Sequence, residues 1–368
     1  MSKGDERISE TGVRLRAGLV GLGAMGRNHC RVLRGLDGVE LVGVVDPLGD
    51  PHGAATGVPV LSTVEELLAL GVDYAVVACP TAYHEEIGLK LAVNGVHALI
   101  EKPLAHSVEA ARRLVDAFEA QQLVAAVGHI ERYNPALVAL RARLENGDLG
   151  EVFQVVTRRQ GPFPHRIADV GVVKDLGTHD IDLTAWVTGQ AYHSVAAHTA
   201  HRSGREHEDM VAVVGRLDGG AIANHLVNWL SPLKERVTVV TGERGCFVAD
   251  TLTADLTYYA NGALTTEWEA LRAFRGVSEG DMVRYAINKR EPLLAEHLAF
   301  RDAVAGLPSE LVTLRQGLRT VEVAEAVLRS ARLGGTVDLE PEPPVTPATP
   351  EQRGEQTPEH KHEEAVAP

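Results

Sequence analysis

An apolar run, a glycine-rich turn and an amphipathic run follow one another without a break in "RLRAGLVGLGAMGRNHCRVLRGL", Arg14 to Leu36, and nothing else in the chain narrows the fold as much. The turn "GLGAMG" sets Gly21, Gly23 and Gly26 in a G-x-G-x-x-G pattern. Glycine-rich turns are common, so the pattern acquires meaning from its place between a strand pattern and a helix pattern. Gly21 permits the tight turn, Gly23 lets a pyrophosphate approach the backbone, and Gly26 lets helix and sheet pack closely. Amides at the helix opening (Gly23, Ala24, Met25, Gly26), with the positive end of the helix dipole, suit phosphate oxygens. A second apolar run, "VELVGVVD", ends in Asp46, twenty residues after Gly26. A carboxylate there accepts hydrogen bonds from a ribose diol and repels a 2′-phosphate. The cofactor expected is therefore NAD rather than NADP.

The first half repeats this alternation. "DYAVVAC", "VHALIE" and "LVAAVGH" are near-continuous apolar runs, as strands covered on both faces by helices are. Between them "LSTVEELLAL", "AYHEEIGLKLAVNG" and "SVEAARRLVDAFEAQ" read as helices. The first of these has Ser62 three residues before Glu65, the spacing of a capping box. Such alternation predicts a parallel sheet with right-handed crossovers, a Rossmann dinucleotide-binding domain over residues 13–130. The second half changes character. "DMVAVVGRL", "AIANHLVNWL" and "ERVTVVTG", separated by "DGG" and "GERG", have the pattern of antiparallel hairpins. "TLRQGLRTVEVAEAVLRSARLGG" reads as a closing helix that packs back on the fold, with glycines suited to its C-cap. The predicted fold class is thus α/β, the Rossmann domain being followed by an α+β domain over 131–339 with a large open, mostly antiparallel sheet.

Residues 1–12 and 340–368 are predicted to be disordered. From Asp338 to Pro368 eight acidic residues face only Arg353 and Lys361, which is −6 of the net charge of −14. A segment so poor in large apolar residues cannot offset its ordering entropy.

Two constellations carry chemistry. The apolar strand "VHALI" runs into Glu101-Lys102-Pro103, at the strand end where open α/β sheets place ligands. Pro103 restricts the residue before it and fixes the loop. An isolated strand-end lysine is usually only solvated; beside an oxidised nicotinamide, a lysine has its pKa lowered toward acid–base work. In "KDLGTHDIDLTAW", Asp175 and His179 stand four apart, which predicts one helix face and an aspartate that orients or polarises a histidine.

Taken together, "GLVGLGAMG", "VVDP", "ACPTAYHEE", "EKPLA", "GHIERYNP" and "DLGTHDID" resemble the Gfo/Idh/MocA oxidoreductases, over about Arg14 to Leu339. The resemblance implies NAD(P) in the first domain and a sugar, inositol or nucleotide sugar over the open sheet. It implies Lys102, Asp175 and His179 as the catalytic set, with the proton acceptor either Lys102 or His179. Pro80, Thr81 and His84 match the segment lining the nicotinamide side, and Glu101 the acidic residue near the nicotinamide ribose. In place of the glycine-rich lead-in of many members stands "ADVGVVKD". With "GHIERYNP" and "RRQGPFPHR", this is similar to the branch that oxidises C3 of UDP-N-acetylglucosamine. A diphosphate calls for guanidinium groups that bind oxygens in pairs. Arg132, Arg159 and Arg166 are the predicted clamp, with Asn134, Lys102 and His179 completing the substrate site. The alternatives are an inositol or simple-sugar dehydrogenase, and a catalytically silent NAD-binding sensor.

Composition narrows the partners. No Lys/Arg block stands out against the net −14, so neither nucleic acid nor an anionic membrane is expected. No apolar run is long enough to span a bilayer, and "MSKGDERISETG" lacks the apolar stretch of a signal peptide. Cys30, Cys79 and Cys246 are scattered and odd in number, which suits a reducing cytoplasm and inert buried thiols. His198, His201 and His207 read as a solvated hairpin tip, and no metal is expected. An open sheet with an apolar outer face predicts a homodimer or homotetramer through that sheet.

Overall fold

The structure, a computed structural model, describes residues 14–164, 170–262 and 278–341. Apart from Glu340 and Pro341, the ends predicted to be disordered lie outside these residues, as does Arg166.

Six strands build the first sheet: β1 (Leu15–Val20), β2 (Val39–Val45), β3 (Val60–Leu61), β4 (Tyr74–Val77), β5 (His97–Glu101) and β6 (Ala125–Gly128). All pair in parallel, in the order β3-β2-β1-β4-β5-β6. The order reverses between β1 and β4, which opens a crevice at the strand carboxyl ends. Every residue of β4 is buried, because α1 (Ala24–Arg34), α2 (Val64–Ala69), α3 (His84–Val93) and α4 (Val108–Ala120) cover the sheet. Helix α2 is capped one residue later than the Ser62–Glu65 spacing predicts. Thr63 Oγ1 accepts from Glu66 N at 3.3 Å, and Glu66 Oε2 accepts from Ser62 N at 2.8 Å. Two adjacent hydroxyl residues and two adjacent glutamates offer two registers of one motif, and the second is used.

After α5 (Pro135–Glu145) comes the second sheet: β7 (Val152–Pro162), β8 (Tyr192–Ala200), β9 (Met210–Leu217), β10 (Ile222–Asn228), β11 (Leu230–Gly242), β12 (Gly245–Asp250), β13 (Asp255–Gly262), β14 (Ser278–Arg284) and β15 (Val337–Asp338). Its order is β14-β13-β12-β11-β7-β10-β9-β8-β15, antiparallel except where β10 lies beside β7. α5, α6 (Thr178–Thr188) and α8 (Leu314–Leu333) cover one face. The other face is open. Along β9 exposed and buried residues alternate, and Val214 and Leu226 are about half exposed on the outer side.

The last helices return to the first sheet. On α7 (Pro292–Val304), Phe300 meets Tyr74 edge-on with centroids 5.4 Å apart, and Arg301 donates to Asp37 O at 2.9 Å. Helix α8 is shared between the cores. Leu314, Leu318 and Val321 pack with Leu114 and Phe118 of α4, while Ala324 and Val327 pack with Val195 and Val213. It starts in a capping box at Thr313 and Gln316 and ends at Gly334, whose φ of 68° is left-handed. Among the described residues no helix is long and apolar enough to cross a membrane.

Candidate active site

The glycine turn passes a direct test of fit for a dinucleotide. Gly21 has φ +99°, and a Cβ there would lie 2.6 Å from Ala78 O. A Cβ on Gly26 would lie 2.0 Å from Gly21 O, so turn and helix touch. At Gly23 a Cβ would meet nothing within 4 Å: this is the open side, where a side chain would occupy the approach to the backbone. Gly23 is also the N-cap of α1 and offers no side-chain acceptor, which leaves the first-turn amides for an anion. These residues fit NAD.

Asp46, at the end of β2, braces that turn. Its Oδ2 accepts from Leu22 N at 2.8 Å and its Oδ1 from Leu48 N at 2.9 Å. Each carboxylate oxygen keeps a second lone pair for a ribose hydroxyl. Asp46→Ala is expected to erode the preference for NAD over NADP by about tenfold or more, the worth of one charge-assisted hydrogen bond. Steady-state kinetics with both cofactors checks this; an unchanged ratio would remove Asp46 from the role.

Lys102 leaves β5 and reaches across to the second half of the chain. Its Nζ donates to Asp175 O at 2.7 Å and to Asp175 Oδ1 at 3.0 Å, and the Lys102–Pro103 bond is cis. The lysine is therefore paired, with its third N–H direction uncommitted. Asp175 does not lie in regular α-helix. Val173–Gly177 form a π turn, and α6 begins at Thr178. The wider turn changes the predicted i,i+4 relation, and Asp175 serves Lys102 rather than polarising His179. Glu208 anchors the lead-in: its Oε1 accepts from Val173 N at 3.0 Å, and its backbone carbonyl accepts from Val172 N at 2.9 Å. At position 171 a Cβ would lie 2.0 Å from the Glu208 carboxylate, which would have to swing away from Val173 N to make room. That is the local use of "VGVVKD", the described part of this lead-in.

His179, on the first turn of α6, is neutral. Burial, then the positive charges of Lys102 and Arg159, hold it well below the ordinary imidazole value. Among the described residues its Nδ1 and Asp175 Oδ2 are buried without a hydrogen-bond partner. Unsatisfied buried polar atoms on the lysine's partner and on a histidine within its electrostatic reach mark a place built for something further.

Glu101 points inward. Its Oε1 lies 2.9 Å from His29 Nε2, and His29 Nδ1 lies 2.8 Å from His297 Nε2 on α7. Glu101 Oε2 accepts from Lys102 N at 3.1 Å. Burial pushes the Glu101 carboxyl up, but the His29 hydrogen bond and nearby charges prevail and hold it below the usual range. His84 is also internal, its ring nitrogens each 3.0 Å from a backbone carbonyl, of Pro103 and of Cys79. It ties the Glu-Lys-Pro loop to the turn of Pro80 and Thr81. Burial pushes the Cys79 thiol up to about 12 and raises Cys30 and Cys246 as well, so none is a ready thiolate.

Two members of the predicted diphosphate clamp, Arg132 and Arg159, are held by internal acids, and the third, Arg166, lies outside the described residues. Arg132 is bidentate to Asp182, with Nε to Oδ2 at 2.8 Å and Nη2 to Oδ1 at 2.7 Å, and its Nη1 donates to Gln316 at 3.0 Å. It lines a cavity of about 260 Å³ with Asp182, Trp186, Gln316 and Arg319, and none of Lys102, Asp175 or His179 borders that space. Arg159 donates to Asp180 at 2.8 Å and Glu131 at 2.7 Å. Asn134 caps α5, accepting from Ala136 N at 3.0 Å. A buried guanidinium needs a carboxylate, and two acids on alternate positions of α6 supply it. No group of three His, Cys, Asp or Glu side chains among the described residues is placed to hold a metal ion.

Comparison with known proteins gives the family. Residues 15–129 match the Gfo/Idh/MocA oxidoreductase family, NAD-binding Rossmann fold, and residues 137–248 match the Gfo/Idh/MocA C-terminal domain. The chain belongs to this family of NAD-binding oxidoreductases. It is 28% identical over 347 residues to inositol 2-dehydrogenase 2 of Saccharopolyspora erythraea, covering 89% of this chain and 97% of that one. To the UDP-N-acetylglucosamine 3-dehydrogenase of Acidithiobacillus ferrooxidans it is 31% identical over 215 residues, 58% of this chain and 66% of that one. A solved structure of an enzyme of that name and organism superposes with a TM-score of 0.76 at 27% identity, over 87% of this chain and 98% of the other. The WlbA dehydrogenase of Bordetella pertussis, solved with NADH and UDP-GlcNAcA, gives 0.73 at 25%, over 89% and 100%.

Sequence reasoning missed Arg236 and Glu208. For Arg236 a signal existed: in "ERVTVVTG" a period of two puts it on the face of Thr238 and Val240, which are 2% and 0% exposed.

Proposed function

We propose that this protein is an NAD-dependent dehydrogenase of a secondary sugar hydroxyl, with C3 of a UDP-N-acetylglucosamine-type nucleotide sugar as the reacting position. The observation that carries the reading is the meeting of Lys102, from the end of β5, with Asp175 from the second half of the chain, with His179 four residues on and within electrostatic reach of the same lysine. NAD, when bound, supplies the hydride acceptor. Asp175 holds the Lys102 ammonium by two contacts, and its third N–H is left to orient the substrate hydroxyl oxygen. The imidazole of His179, whose Nδ1 has no hydrogen-bond partner among the described residues, accepts the hydroxyl proton; burial and the nearby cations keep it neutral beforehand. Fixing the hydroxyl between these groups supplies proximity, and burial excludes water.

Relatives named for UDP-sugars support the nucleotide-sugar reading; one named for inositol supports a polyol. Incubation with NAD and UDP-N-acetylglucosamine, with the product identified by mass spectrometry, separates them. A 3-keto nucleotide sugar is expected. Oxidation of inositol with no turnover of the nucleotide sugar would leave only the broader activity. The partly exposed apolar residues on the open sheet face, Val214 and Leu226 among them, support association of two or four copies through it.

A further inference from the structure

Three cations surround the first turn of α6, and two of them have a carboxylate. Lys102 has Asp175, and Arg159 has Asp180 and Glu131. Arg236 has none among the described residues. It stands on β11 directly opposite Arg159 of β7. Residues paired in this way project from the same face of the sheet, roughly 5 Å apart at Cβ. That face is the inner one, toward α6, since neighbours on the same rows, Thr157, Thr238 and Val240, are 0%, 2% and 0% exposed. Two like charges directly opposite each other destabilise a sheet. Arg159 has carboxylates in direct contact; Arg236 is half-buried and, among the described residues, has none in contact, although Asp180, Glu131 and Asp175 act on its charge from farther off.

The hydrogen bonds of Arg236 show which edge it presents. Its Nη1 donates to Gln160 O and to Glu235 O, both at 2.9 Å. Its Nε and Nη2 make no hydrogen bond among the described residues. Those two groups form one edge of the guanidinium, the edge that takes two oxygens of a carboxylate or phosphate side by side. Burial first and then the neighbouring Arg159 lower its pKa, against the pull of Asp180, Glu131 and Asp175, so the free guanidinium edge still has an oxyanion to gain by direct contact. Arg236 is also among the charges that depress His179, so it lies within electrostatic reach of the reacting centre.

We propose that Arg236 recognises an oxyanion on the substrate, so that the sugar whose hydroxyl meets His179 carries a carboxylate or a phosphate. This rests on the dehydrogenase reading and deepens it. Arg236 takes the place that Arg132 and Arg159, both committed to internal acids, cannot fill. A neutral polyol would leave the guanidinium edge unpaired in a half-buried site and would bind less tightly for that reason.

The test is thermal unfolding of the full chain with NAD present, titrated separately with UDP, D-glucuronate and myo-inositol. A ligand that binds only the native state raises Tm by mass action. UDP or glucuronate is expected to protect the wild type; protection by UDP identifies the oxyanion as phosphate, and protection by glucuronate alone identifies it as carboxylate. Arg236→Gln is expected to weaken the anion by about tenfold or more, as loss of a charge-assisted pair does. Arg236→Lys should retain part of the affinity, having the charge without the fork, and it serves as the readout if the Gln variant does not fold. Protection by NAD alone should be the same in all three proteins. Equal anion affinity in wild type and variants would overturn the proposal, as would protection by inositol with none by either anion. Oxidation of inositol at the same rate by wild type and Arg236→Gln would reject the anion and leave the dehydrogenase standing. Anion binding through Arg236 with no NADH from any sugar would do the reverse.

Discussion

Lys102→Met is expected to bind NAD as the wild type does and to lose turnover by a factor on the order of a hundred or more, the usual contribution of a positioned acid–base group. The substitution keeps the aliphatic stem and removes the ammonium that bridges Asp175 to the substrate hydroxyl. It also leaves a buried carboxylate, 7% exposed at its side chain, without its cation. Removing one partner of such a pair costs about 3–5 kcal/mol, so Tm should fall as well. Lys102→Arg separates the two effects: it keeps a counter-charge for Asp175 while displacing the donor. Stability restored without turnover would assign Lys102 to chemistry; turnover near the wild-type rate in the Met variant would make it a structural ion-pair partner only.

Acid is expected to destabilise the protein progressively from about pH 6.5 downward. His84, His129, His179, His225 and His297 are all held below the ordinary imidazole value, with burial the largest cause at each and His225 brought to about 3. In the unfolded chain each takes up a proton near pH 6.5; in the folded chain each does so only at lower pH. The unfolded state therefore binds more protons below that point, and stability drops as pH falls. Each such proton contributes up to about 1.4 kcal/mol per pH unit. Glu296 and Asp180 act with the opposite sign, because burial raises both and their contribution is lost as pH rises through the folded values. His97 is lowered by burial as well, so six histidines against two carboxyls decide the direction. A Tm that holds steady or climbs between neutral pH and about pH 5 would show that the buried histidines are charged in the native state.

Features governed by local spacing were legible in the sequence. The glycine turn, Asp46, the strand-end position of Lys102 and the left-handed stop at Gly334 each follow from a rule that spans a few residues or one βαβ unit. What escaped depends on partners distant in the chain. An arginine in "GHIERYNP" looks available until Asp182, fifty residues on, is found against it. Arg159 likewise gives the impression of a ligand-binding group while Asp180 and Glu131 hold it. The π turn at Val173–Gly177 escaped for another reason: a reading at 3.6 residues per turn has no place for a wider one, although the turn decides that Asp175 meets Lys102. β3 is two residues long, too short to register as a strand pattern.

The central claim is that Lys102, Asp175 and His179 form a working dehydrogenase centre. It is tested most directly by following NADH formation when wild type and Lys102→Met are given NAD with UDP-sugars, inositols and free hexoses in turn. The account predicts NADH from at least one of them with the wild type, strongest where the sugar carries an anion, and a loss of about a hundredfold or more in the variant. NAD binding with no NADH from any of these substrates would contradict it and leave a dinucleotide-binding sensor.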